Sequence, residues 1–289
     1  MAETKIEWAT HVWNPVTGCT KVSEGCRNCY AETMARRFPK LYPDGFGKVT
    51  LHNERLEQPL HWRKPARIFV SSMGDLFHED VPIPYIEMVL DVMAQANWHT
   101  FLVLTKRPLR MQTAIGTLIL NPDTGRPFPN VWLGVSVENQ ATADERIPNL
   151  FQTPAAKRFI SAEPLLGPVD LKNAFAFSSD SSSLDWVIVG GESGPKARPM
   201  HPDWARKVRD DCVAAGVAFF FKQVGEWSWD NHPAGVRQGV VSEDGWWQDG
   251  HGYVGYGRDH PNTVMLARVG KKAAGHLLDG REWREYPDA

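Results

Sequence analysis

Cysteine is scarce in this chain, with four residues in 289. Charge of one sign is also missing. The 32 basic and 34 acidic side chains leave a net charge of −2, which gives no global electrostatic pull toward nucleic acid. No apolar run reaches membrane-spanning length, and no signal-peptide pattern precedes the first motif. The expectation is a cytoplasmic protein with no membrane partner. No solenoid repeat is visible. What is present is a globular composition, 42% hydrophobic and 23% charged, in a chain long enough for one large α/β domain or two ordinary ones.

The scarce cysteines are not scattered. Cys19, Cys26 and Cys29 fall within the run Thr17 to Tyr30, spaced C-x6-C-x2-C, and only Cys212 stands apart. In a chain without secretion features, such a cluster favours a reducing compartment and metal binding over disulfides. Soft sulfur ligands select zinc, copper(I) or iron–sulfur clusters. Two metal readings stand side by side. One is a closed zinc site completed by His11, His52, His78 or Cys212, though zinc sites usually show two close pairs. The other is a [4Fe–4S] cluster held by three cysteines, with one iron left open. Cys212 lies mid-helix before Val213, Ala214 and Ala215, where a buried, inert thiol is expected.

Six apolar runs recur along the chain: Ile68–Ser72, Phe101–Thr105, Val131–Ser136, Arg158–Ser161, Trp186–Gly190 and Val217–Lys222. They are continuous rather than alternating, as expected of parallel strands buried on both faces. Amphipathic stretches lie between them. Pro84–Ala96 is one. Pro202–Ala215 is another, with Pro202 and Asp203 at its start and Gly216 past its end. The predicted fold is α/β, a partial parallel (β/α) barrel of about six strands. Residues 1–226 form the barrel, and 227–289 an irregular Trp- and Gly-rich flap and tail packed on it. The serine-rich stretch 175–184 reads as a loop or short insertion. Residues 227–262 read as a small β-rich flap or a loop.

Each apolar run ends on polar residues, and in a parallel barrel those ends share a rim where ligands bind. Ser72, Gly74 and Asp75 suit the amino group of an aminocarboxylate. Ser136, Glu138 and Asn139 suit ribose hydroxyls, or else cap the next helix. Lys106 and Arg107 suit phosphate or carboxylate. Glu163 precedes a proline that biases its backbone toward extended geometry. Gly190 and Gly191 permit close backbone approach, and Glu192 can hold an ammonium group. Lys222 closes the last run. Arg146 reads as an exposed helix arginine or as a partner for a carboxylate.

The segments Lys5–Trp8, Trp13–Ser23, Cys26–Glu32, Phe69–His78, Leu104–Pro108, Trp132–Asn139, Glu163–Pro168, Val189–Gly194, Gly270–Gly275 and Leu278–Arg281 together resemble a phage-type three-Cys-motif family. The match runs in order over nearly the whole chain. That family is in turn similar to radical S-adenosylmethionine enzymes. Two departures from the latter are plain. Their usual spacing is C-x3-C-x2-C, with an aromatic residue before the third cysteine where this chain has Asn28. Their early Gly-Gly-Glu is replaced here by the Ser72–Asp75 segment, while a literal Gly-Gly-Glu comes late, at 190–192.

The resemblance implies a [4Fe–4S] cluster on Cys19, Cys26 and Cys29, with S-adenosylmethionine as cofactor and an external electron donor as partner. It assigns Ser72, Gly74, Asp75, Ser136, Glu138 and Asn139 to the cofactor. Gly190, Gly191 and Glu192 are a second contact, to cofactor or substrate. Lys106, Arg107, Glu163 and Lys222 face a substrate, which the phage setting suggests is a nucleotide or nucleic-acid base. The alternative is a zinc-binding nucleic-acid or protein interaction module without catalysis.

Overall fold

The computed structural model describes residues 4–116, 118–176, 183–245, 247–249 and 262–287. Residues 177–182 of the serine-rich stretch, and residues 246 and 250–261 of the Trp- and Gly-rich stretch, lie outside the described residues.

The chain opens with β1 (His11–Trp13), β2 (Val16–Thr17), α1 (Tyr30–Arg37) and β3 (Thr50–Leu51). A regular alternation follows: β4 (Arg67–Val70), α2 (Ile83–Gln95), β5 (Thr100–Thr105), α3 (Pro108–Ile115), β6 (Val131–Ser136), α4 (Gln140–Gln152), β7 (Lys157–Ala162), α5 (Lys172–Ala176), β8 (Trp186–Gly190), α6 (Pro202–Ala215) and β9 (Ala218–Gln223). The last part holds β10 (Trp227–Ser228), β11 (Gln238–Val241), β12 (Trp247–Asp249), β13 (Val264–Arg268) and α7 (Lys271–Ala274).

Seven strands form one sheet in the order β1-β4-β5-β6-β7-β8-β9, a parallel half-barrel with helices between the strands. All six apolar runs read from the sequence are strands of this sheet. The seventh, β1, pairs parallel with β4 through His11 to Ile68 and Trp13 to Val70. It is three residues long and buries only Trp13, so it carries no apolar run to read. β6 and β8 are buried at every position, as strands covered on both faces must be.

The chain divides into two compact units. The first comprises Met1–Ser136, Glu145–Ile160 and Ser179–Leu184. There α2 buries Tyr85, Ile86, Val89, Leu90 and Met93, the single face its apolar spacing dictates. Arg158 is buried and donates to the carbonyls of Leu150 and Thr153, which closes the C-terminal turn of α4.

The second unit comprises Val137–Asp144, Ser161–Ser178 and Asp185–Ala289. There α6 starts at Pro202 and ends before Gly216 in left-handed geometry, as its punctuation predicts. The sequence did not single out its cap: His201 Nδ1 accepts the Asp203 N–H at 3.1 Å. Cys212 is fully buried on α6, and burial pushes its thiol pKa up, as an inert structural thiol requires. The described part of the Trp- and Gly-rich stretch contributes to an antiparallel sheet ordered β10-β13-β11-β12. The Trp227 indole donates to the Ala197 carbonyl and the Trp204 indole to that of Glu243. The C-terminal tail covers the outer side of β9, where Phe220 bridges to Arg284 and the Phe221 N–H donates to Trp283. An otherwise open sheet edge is thereby closed.

Gly134, in the middle of β6, tests this packing. A Cβ there meets the ring of Phe159 at 2.5 Å. Gly134→Ala is expected to lower stability by about 1–3 kcal/mol through overpacking. Gly47→Ala, with nothing within 4 Å of its Cβ, is expected to change it little. Urea unfolding of the two variants measures the contrast.

Candidate functional site

In the first unit the cysteine loop begins where β2 ends. Gly18 bridges to Gly74, its N–H donating to the Met73 carbonyl, and Cys19 N–H donates to Phe46. Gly18 has φ +86°, and a Cβ there meets the Lys48 carbonyl oxygen at 2.0 Å, so only glycine fits. The loop is thus latched onto the turn that follows β4. Asn14 fixes that turn from below, its Oδ1 accepting from the Ser72 hydroxyl at 3.2 Å and the Met73 N–H at 2.9 Å. Tyr30, beside Cys29, donates its hydroxyl to the Ser72 carbonyl at 2.6 Å. Ser71 takes a left-handed φ of 56°, and its buried hydroxyl has no hydrogen-bond partner among the described residues. Non-glycine residues hold such geometry only where their surroundings impose it.

A buried ion pair stands over this turn. Asp75 accepts from the Thr105 hydroxyl at 2.8 and 2.9 Å, from the Phe77 N–H at 3.0 Å and from Arg107 at 3.2 Å. Arg107 spreads its fork wider still. Its Nε donates to Glu79 at 3.0 and 3.2 Å, its Nη1 to the sulfur of Cys19 at 3.4 Å, and its Nη2 to the Thr20 carbonyl and hydroxyl at 3.1 and 2.8 Å. Glu79 and Thr20 are parts of this network that the sequence did not single out. Both are common surface residue types outside any apolar period, and only the fold brings them to Arg107.

Cys19, Cys26 and Cys29 are all free and partly exposed. Burial pushes the Cys19 thiol up to about 11, with Asp75 adding to the rise and Arg107 opposing it. Burial also raises Cys29, opposed by the backbone N–H groups of Glu32 and Ala31 in the first turn of α1. Cys26 acts electrostatically on both. Three soft donors, two of them receiving N–H groups, match in type and number what a three-thiolate iron–sulfur cluster takes. Among the described residues no group of three or more His, Cys, Asp or Glu side chains is arranged to hold a metal ion. Of the histidines named for a closed zinc site, one ring nitrogen of each meets a hydroxyl: His11 that of Thr10, His52 that of Thr17 and His78 that of Thr20.

The remaining first-unit residues are Ser136, which is buried, and Lys106, whose N–H reaches Asp75 at 3.4 Å. Arg146, on α4, is not exposed. It is buried and donates to the Ser136 carbonyl at 2.8 Å.

In the second unit, Glu138 is fully buried and its carbonyl accepts from Leu166 at 2.7 Å. Asn139 starts α4, its Oδ1 accepting the Thr142 N–H at 3.1 Å while Thr142 Oγ1 accepts the Asn139 N–H at 3.1 Å. The helix-capping reading of this strand end therefore applies to Asn139. Glu163, joined to Pro164 by a cis peptide, accepts the Lys222 ammonium at 2.6 Å. A Cβ on Gly190 would touch that carboxyl at 3.4 Å, and one on Gly191 would strike the Val224 carbonyl oxygen at 1.9 Å. The two glycines therefore admit Glu163 and the chain after β9. Glu192 is buried and gripped by Arg198, which donates through its backbone N–H at 2.8 Å, Nε at 3.0 Å and Nη2 at 2.7 Å. Arg198 follows in an irregular segment with no period to reveal it.

A parallel half-barrel with a three-thiol loop at its strand ends defines the class of α/β protein. The chain belongs to the family of proteins of unknown function DUF5131, whose profile matches residues 3–287. No curated protein matches it by sequence. Similar solved structures include a cysteine-to-serine mutant of spore photoproduct lyase, with 12% identity, TM-score 0.44, and coverage of 64% of this chain and 56% of that one. Another is a double mutant of that lyase with bound AdoMet and dinucleoside spore photoproduct, with 10% identity, TM-score 0.42, and coverage of 69% and 60%. The chain spans less than two thirds of the length of these structures.

Two outcomes are expected of the site. Arg198→Ala strips a buried carboxylate of its ion pair and should cost about 3 kcal/mol in urea unfolding. In metal-free protein at pH 8, a Cys19 thiol raised to about 11 is ionised in about one molecule per thousand. Its alkylation by iodoacetamide, followed by peptide mass spectrometry, should therefore quicken about tenfold per pH unit up to that value.

Proposed function

We propose that the protein is a radical S-adenosylmethionine enzyme whose [4Fe–4S] cluster sits on Cys19, Cys26 and Cys29. The observation that carries this reading is the cysteine loop, three free thiols latched by Gly18 onto the turn after β4. Three sulfur ligands leave one metal position open. When bound, the cluster supplies the electron that cleaves S-adenosylmethionine to methionine and a 5′-deoxyadenosyl radical, which takes hydrogen from a substrate. An external carrier delivers that electron.

The chain's own residues place the ligands. In the first unit, Ser72, Gly74, Asp75 and Ser136 serve the cofactor. Both Asp75 oxygens already accept hydrogen bonds, so a ligand ammonium there competes with Thr105 and Arg107. In the second unit, Glu138 serves the ribose, while Asn139 caps α4, Gly190 and Gly191 are filled by Glu163 and the chain after β9, and a ligand at Glu192 would compete with Arg198. Lys106 and the Glu163–Lys222 pair serve the substrate. That substrate is proposed as a nucleotide or nucleic-acid base. The exposed arginines and lysine Arg36, Arg37, Arg63 and Lys64 suit a phosphate backbone.

Anaerobic reconstitution tests the reading. Wild-type protein should turn brown, bind iron and sulfide, and release 5′-deoxyadenosine from S-adenosylmethionine under reduction. Cys19→Ala, Cys26→Ala and Cys29→Ala should each lose the visible absorbance, while Cys212→Ala keeps it. Protein that binds zinc and no iron sinks the proposal in favour of a non-catalytic zinc module.

A further inference from the structure

We propose that Arg107 is a positioning residue for the cluster, holding the Cys19 ligand through an Nη1–H···S hydrogen bond and raising the cluster's reduction potential. This role rests on the cluster reading above. From sequence alone, Arg107 stands with Lys106 as a rim cation suited to phosphate or carboxylate. The structure gives it other work. Its three guanidinium nitrogens reach Glu79, Asp75, Cys19 and Thr20, and the side chain is buried. A guanidinium so occupied has little left for a substrate phosphate. It is instead the one cation in hydrogen-bond contact with a thiol of the triad among the described residues.

The physical consequence follows from charge. Reduction adds an electron to the cluster, and part of that charge falls on the ligating sulfurs. A cation and an N–H donor at one of those sulfurs stabilise the reduced form more than the oxidised one. Asp75 acts on Cys19 with the opposite sign, since a carboxylate nearby disfavours added negative charge. The geometry therefore sets at one sulfur a donor that is itself joined, at 3.2 Å, to an opposing anion. Burial keeps both effects from being screened by solvent.

The test is an optical or paramagnetic-resonance potentiometric titration of the anaerobically reconstituted full chain, with iron and sulfide counted for each variant. Arg107→Met should shift the reduction equilibrium about tenfold toward the oxidised form, about 59 mV for one electron. Arg107→Lys should shift it less, because charge is kept and the fork is lost. Asp75→Asn should shift it the other way. Opposite signs for the two positions support the role, since a merely loosened fold moves both alike. Unchanged potentials, or shifts of one sign, overturn it. If Arg107→Met takes up no iron, the signs from Arg107→Lys and Asp75→Asn decide. Wild-type protein that takes up no iron or sulfide overturns the cluster reading itself, and this role falls with it.

Discussion

One buried guanidinium organises the first unit. Arg107 leaves the end of β5 and binds, within one side chain's reach, the turn after β4 through Asp75, the following loop through Glu79, and the cysteine loop through Thr20 and Cys19. Removing one partner of a buried ion pair costs about 3–5 kcal/mol, because the other charge is left without compensation. Asp75 and Arg107 are each nearly inaccessible, so neither can turn to water instead. The short α3 beginning at Pro108 is part of the same device. Its proline occupies the first helical position, where no N–H is needed, and leaves Arg107 as the residue before the helix.

Steric exclusion by backbone is the second constraint. At Gly18 and at Gly191 the atom a side chain would occupy is already a carbonyl oxygen, of Lys48 and of Val224. Both positions sit where a loop is pressed onto a strand end within its own unit. In sequence, Gly190 and Gly191 look like a place for a ligand to approach. In the structure the close approach is made by the protein itself, by the Glu163 carboxyl and by the chain leaving β9.

These two constraints explain what was legible in the sequence. Burial on both faces of a parallel sheet writes itself as continuous apolar runs, so β4 through β9 could be read within a residue or two. β1 could not, because a three-residue edge strand with one buried side chain leaves no pattern. The cysteine triad and the polar strand ends were legible as chemistry. Their partners were not. Thr20, Glu79, Asn14 and Arg198 bind across loops whose closure depends on tertiary structure, and no local period marks them. Arg146 shows the same limit from the other side. Its helical setting suggested an exposed or a carboxylate-paired arginine; it is not exposed but buried, with one donor on a strand-end carbonyl.

The strand-end charges then sort by what a ligand must displace. Asp75 and Glu192 are buried and each accepts hydrogen bonds from several donors at once. A ligand ammonium at either must replace those bonds or leave a guanidinium buried beside it, a cost of the order of a kcal/mol or more for each bond. The Glu163–Lys222 pair differs, being joined by one hydrogen bond between side chains that keep 21% and 13% of their exposure. Its separation costs less, because water can reach both groups as they part. Among these carboxylates Glu163 is therefore the one suited to exchange partners with a ligand, while Asp75 and Glu192 are suited to hold the loops they bind.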